Sequence, residues 1–213
     1  MHRAPKLLLL LFSALLTSSA FAQRAFTITG RVKVEGGGLE NTKVIVYKNG
    51  EKDRVITSGL GKFNLDLSLN ANYVLSFEKD GFVTKKLVFD TKVPADAAAN
   101  GFAPFEFAVS LFKQYDDINI VVFNQPVGMI RYEASVDDFD YDTDYTKSIQ
   151  SQLQTVMEQV EEKQAEEQQA LKEQEKQAAE SAKAKAQADA EAKKAAEAAA
   201  KEEARRKATE EAE

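Results

Sequence analysis

The chain of 213 residues contains no cysteine and a single histidine, His2. Without cysteine no disulfide can staple the fold, so the core must stand on apolar burial alone. His2 lies within a stretch that reads as a leader. Its loss with that leader would remove His-based triads, Cys/His dyads and the usual zinc ligand sets. Long apolar runs are also scarce: Leu7 to Leu16 is about ten residues, whereas a membrane-spanning helix needs roughly twenty. An excess of positive charge is missing too, since the formal charge is -6. Removing the leader's two positive charges, Arg3 and Lys6, takes it to -8, which argues against nucleic acid or anionic lipid as a partner recognised by net charge.

Arg3 and Lys6 ahead of the apolar run, with Ala20-Phe21-Ala22 behind it, form the pattern of a secretory signal peptide over residues 1–22, with the mature chain starting at Gln23. No cysteine follows the run to carry a lipid, and no later stretch is apolar enough to span a bilayer. The expected location is the periplasm or the exterior, with any hold on the outer membrane made through a protein partner.

Residues 23–133 are rich in β-branched and aromatic residues broken by Gly, Asn, Asp and Pro, which predicts an all-β sandwich of seven or more antiparallel strands in Greek-key order. Phe26, Ile28, Gly30, Val32 and Val34 share one face of a first strand over Phe26 to Glu35. Lys43 to Lys48 and Arg54 to Thr57 follow, joined through Asn49-Gly50, whose backbone suits a tight hairpin. Phe63 to Leu69 alternates apolar and polar residues, and Tyr73 to Lys79 pairs with Phe82 to Thr91 across Asp80-Gly81. A surface loop over Pro94 to Pro104 precedes strands at Phe105 to Lys113 and Asp117 to Asn124.

Beyond Tyr145 glycine and proline vanish, and Ala, Glu, Lys and Gln predict a helical arm over residues 146–213. Fully helical, it would reach on the order of 100 Å; a partly disordered tail is the alternative. Ile149, Leu153, Val156 and Val160 recur at four, three and four residues, the spacing of a coiled-coil seam or a docking face. Continued, that seam reaches Lys163 and Glu167. The four side chains would contribute about 1.5 to 3 kcal/mol each, against an association entropy of roughly 4 kcal/mol or more. Docking on the chain's own sandwich avoids most of that cost and is the expected use of the stripe.

Between the two parts, residues 134–145 contain "DDFDYDTDY". An EF-hand is excluded: a loop starting at Asp138 has Thr143 where Gly is needed and Ile149 where a bidentate Glu is needed. As an extended segment, Asp138, Asp140, Asp142 and Asp144 face one way and Phe139, Tyr141, Thr143 and Tyr145 the other, so the aromatics can lie on the sandwich. Asp144 or Thr143 then suits the start of a helix. A calcium site of another kind and a flexible acidic linker are the alternatives.

No catalytic constellation stands out. Gly59-Leu60-Gly61-Lys62 fails as a phosphate loop, because Ile56 stands where its first Gly belongs and Phe63 follows the Lys. No Gly-x-Ser-x-Gly elbow exists, and the carboxylates are too numerous for any pair to suggest glycoside chemistry. No catalytic residue, metal or cofactor is expected. The candidate interaction residues are Phe139, Tyr141, Tyr145, Ile149, Leu153, Val156 and Val160.

Gly30-x-Val32, "LENTKVIV" from Leu39 to Val46, Thr57-Ser58-x-x-Gly61-Lys62-Phe63-x-Leu65, Tyr73-x-Leu75 and Lys79-Asp80-Gly81-Phe82 together resemble the carboxypeptidase regulatory-like domain. The resemblance covers roughly residues 26–91. It departs at Ser58, where the family usually has Asp, and at Thr42 and Lys43, where an alanine is often found. It implies a prealbumin-like seven-stranded sandwich in an exported Gram-negative protein, serving as a folding, spacing or binding module without a reaction of its own. The Ala/Lys/Glu-rich arm is similar in composition to the helical spacers of TolA-like periplasmic proteins. The expected function is a non-enzymatic envelope protein whose sandwich docks on a protein partner while the arm spaces or docks. The alternative is a carbohydrate- or peptide-binding module, with Tyr47, Tyr73 and Phe82 as stacking surfaces if they are not core.

Overall fold

A computed structural model describes residues 25–210, with side chains as far as Lys207, so the leader expected over residues 1–22 lies outside the described residues. Strand β1 (Ala25–Val34) buries Phe26, Ile28, Gly30, Val32 and Val34 on one face, as period two requires. Strands β2 (Lys43–Lys48) and β3 (Glu51–Ile56) form a hairpin through Asn49 and Gly50, both with positive φ. That two-residue turn pairs Lys48 directly with Glu51, so β3 starts earlier than the expected Arg54. Strand β4 (Phe63–Ser68) alternates buried and exposed residues. Strands β5 (Asn72–Glu78) and β6 (Lys85–Asp90) pair antiparallel, and Phe82 makes only an isolated bridge to Lys113.

The loop expected over residues 94–104 contains one helical turn, α1 (Ala97–Asn100), and leads into β7 (Phe105–Leu111). Residues 117–124, expected as a strand, instead end in a 3₁₀ turn at Val121–Asn124. Strands β8 (Gly128–Glu133) and β9 (Asp138–Tyr141) follow, and then helix α2 (Thr143–Glu210). The sheet therefore runs past residue 133: the acidic stretch is an edge strand followed by the first helical turn.

The strands make two sheets, ordered β4-β1-β7 and β3-β2-β5-β6-β8-β9. Phe26, Ile28, Leu65 and Phe107 from the first meet Val46, Leu75, Phe89 and Ile130 from the second in one apolar cluster, giving a sandwich-like, β-rich domain. The expectation of purely antiparallel strands is corrected: β1 with β7 and β6 with β8 are parallel, so both sheets are mixed. The chain crosses between sheets before β7 and again before β8, and such crossovers can bring a strand back in the same direction. Apolar alternation marks the buried face of a strand but says nothing about the direction of its neighbour.

Helix α2 has 68 residues, a length of about 100 Å. Its buried residues, Ile149, Val156 and Val160, all lie in its first part, and every described side chain from Ala165 to Lys207 is exposed. Among the described residues no helix is long and apolar enough to cross a membrane.

Candidate functional site

The seven candidate residues lie along one continuous path from β9 into α2. Phe139 is buried and stacks on Phe26 with ring centroids 3.8 Å apart, and Phe102 meets it edge-on at 4.9 Å. Tyr141, two residues on and therefore on the same face, packs edge-on against Phe105 at 5.2 Å but stays 43% exposed. The aromatic side of the acidic stretch thus closes one end of the sandwich.

The aspartates of that stretch act separately. Asp142 caps the helix: its Oδ1 accepts from the backbone N–H groups of Asp144 and Tyr145 at 3.1 and 3.0 Å, and Oδ2 meets Arg131 Nε at 2.9 Å. The expected caps, Asp144 or Thr143, lie two and one positions inside the helix. The Tyr145 amide, with the Arg131 guanidinium, holds the Asp142 carboxyl below its ordinary value. Asp138 and Asp140 each accept from the next backbone N–H, at 2.8 and 2.7 Å. Across the β8–β9 hairpin, Tyr132 donates to Asp137 at 2.6 Å, a bond that pushes the phenol up to about 12. Among the described residues no group of three or more His, Cys, Asp or Glu side chains gathers where a metal ion could sit.

From Tyr145 onward the helix lies on the domain. The Tyr145 hydroxyl donates to the Pro126 carbonyl at 2.6 Å, and Ile149 is buried. Val156 and Val160 join Val83, Phe112, Ile118, Val122 and Phe123 in a second apolar cluster, with Leu153 and Met157 packed at its margin. One turn further the contact becomes polar. Lys163 pairs with Asp117 at 2.9 Å, Gln164 donates to Glu35 at 3.0 Å, and Glu167 accepts from Lys113 at 2.6 Å and from the Tyr115 hydroxyl at 3.1 Å. Lys113 holds the Glu167 carboxyl below its ordinary range, and Lys163 does the same to Asp117. Lys163 and Glu167 are the residues that the apolar seam reaches when it is continued. They meet charged partners on the domain at that height, so the stripe ends in ion pairs.

The receiving surface was not anticipated from the sequence. The segment Ile118 to Phe123 carries apolar residues at both alternating and adjacent positions, more than a strand with one wet face can use. That excess was the available signal that something covers it.

The aromatics considered for sugar stacking are differently placed. Tyr73 is core, 2% exposed, with its hydroxyl accepting from the Ser68 N–H at 3.0 Å. Phe82 is half-buried, and Tyr47 is half-buried beside a shallow surface groove shared with Val74 and Lys86. What the junction as a whole can do is mechanical: it fixes the direction in which a long helix leaves a β domain. Comparison of the chain with protein-family models finds no match, and comparison with curated proteins finds none either.

Proposed function

We propose that the protein is a non-enzymatic component of a Gram-negative cell envelope, exported with its leader removed before Gln23. In this reading its domain is a prealbumin-like, carboxypeptidase-regulatory-like Greek-key sandwich that binds an envelope protein, and α2 is a spacer held at a fixed angle. The observation that carries the reading is the division of α2: an apolar stripe welded to the domain through Val160, polar contacts with it as far as Glu167, and then residues 168–207, about 60 Å, with every described side chain exposed. A helix that buries nothing along that length contributes reach rather than core.

The test is affinity capture of the full-length protein from its own envelope, beside a form truncated after Leu171, with N-terminal sequencing of the recovered chain. The expected outcome is a chain starting at Gln23 that brings down one membrane assembly in both forms, because the domain makes the contact. Failure of both forms to recover any protein assembly, together with saturable binding of peptidoglycan or another glycan by the domain, would sink the proposal.

A further inference from the structure

Beside the first turns of α2 lies a cleft of about 490 Å³, bounded by β6, the outer edge of β7, the start of β8 and the helix. A volume of this size suits a small ligand. Its walls combine two kinds of surface. Leu87, Val109 and Val127 form an apolar side, while Ser110, Thr143 and Thr146 present hydroxyls. Among the described residues, the charged ones lining it are Lys85 and Lys147, and no carboxylate does so. In a chain of formal charge -6, a cleft whose charged lining residues are both lysines gathers the minority sign and attracts an anion.

Lys85 is the unusual member. It lies on the inward face of β6, in the same row as Leu87 and Phe89, where an apolar residue would be expected. Its ammonium sits 4.7 Å from the Phe112 ring centroid and 5.6 Å from that of Phe123, so two π-faces hold it from one side. Burial pushes its pKa down, and Glu35 opposes that shift from beyond ion-pair distance while accepting its own hydrogen bond from Gln164. Neither Lys85 nor Lys147 forms an ion pair among the described residues. The Lys85 ammonium has no hydrogen-bonding protein oxygen among the described residues and is not sealed from solvent, so its donors are open to water or to the acceptor of a bound ligand. The helix amino end adds nothing here, because Asp142 already caps it.

We propose that this cleft binds a small amphiphilic carboxylate, with the anionic head at the Lys85 and Lys147 ammonium groups and the apolar remainder on Leu87, Val109 and Val127. The site is separate from the partner contact proposed above, and its failure would leave that reading standing. Two sources share this chemistry, a fatty acid and the free carboxyl end of a short peptide.

Isothermal titration of the full chain with octanoate and with acetyl-Leu-Ala tests it, each against its neutral counterpart, octanol or the peptide amide. At least one acid should bind saturably at one site, with its neutral counterpart at least tenfold weaker, and the stronger acid identifies the source. Lys85→Met should weaken the acid tenfold or more, and Lys147→Gln, on the exposed helix surface, several-fold. Saturable binding of neither acid overturns the proposal. So does equal binding of acid and neutral counterpart, or unchanged affinity in both variants. If Lys85→Met does not fold by circular dichroism, Lys147→Gln decides alone, and unchanged affinity there overturns it.

Discussion

Gly30 stands where two phenyl rings meet. A Cβ at this position would lie 2.3 Å from Phe63 Cζ and 2.7 Å from Phe107 Cζ, rings that pack edge-on to each other at 6.1 Å. Gly30→Ala is therefore an overpacking change, and the expected loss is about 1 to 3 kcal/mol in chemical denaturation. Shrinking one ring in the same chain, Phe63→Leu, should recover part of it; additive losses would show that the rings do not set the limit. Asp142 acts differently, through its charge. Its carboxyl is held below 3.8 in the folded chain, so its contribution is fully present above the ordinary carboxylate range and is lost as pH falls through the lowered value. Asp142→Ala should cost about 1 kcal/mol at neutral pH from the lost cap. It should also flatten the acid limb of a plot of melting temperature against pH. An acid limb identical to that of the unaltered chain would remove the cap from the account of helix stability.

At the scale of elements, α2 is one helix with two environments. Val156 and Val160 are buried against Phe112 and Val122, whereas residues 168–207 rest on alanine propensity and neighbouring charges. Hydrogen exchange should divide the helix accordingly, with slow amides from Ile149 to Gln164 and fast ones beyond Lys172. Val160→Asp should abolish the slow set by placing an unpaired carboxylate in the apolar pad. Uniform exchange along the helix would mean that the stripe does not anchor it. The stripe itself was legible, because a spacing of four, three and four can face only one way on a helix. Its pad was not, since Val83, Phe112, Ile118 and Val122 come from segments that tertiary folding alone brings together. Ile118, Ile120 and Val122 imitate a strand by alternating, yet the chain turns there to place Val122 and Phe123 under the helix. The cap was half legible: several aspartates in a row could serve, and the end of β9 at Tyr141 selects Asp142.

The whole molecule is a compact head with a long handle, since the helix alone measures about 100 Å while the head gathers the described strands around shared clusters. Small-angle scattering of the monomer should give a maximum dimension near or above about 100 Å, estimated from the helical rise. A value near half of that would mean that the distal helix folds back or melts. High salt should leave this dimension nearly unchanged, because the Lys163–Asp117 and Lys113–Glu167 pairs are exposed and screened while the apolar pad is not.

Only Asp142 separates β9 from α2, so strand register and helix rotation are geared together. One residue inserted after Tyr141 would turn everything downstream by about 100°, swinging Val156 and Val160 off their pad toward water. The same residue inserted after Gln177 would turn only a stretch whose described side chains are all exposed and would lengthen the handle by about 1.5 Å. A single alanine at the first place should lower the melting temperature and expose the slow amides, and at the second it should leave both unchanged. The handle can thus drift in length over generations, whereas its phase relative to the head tolerates no error.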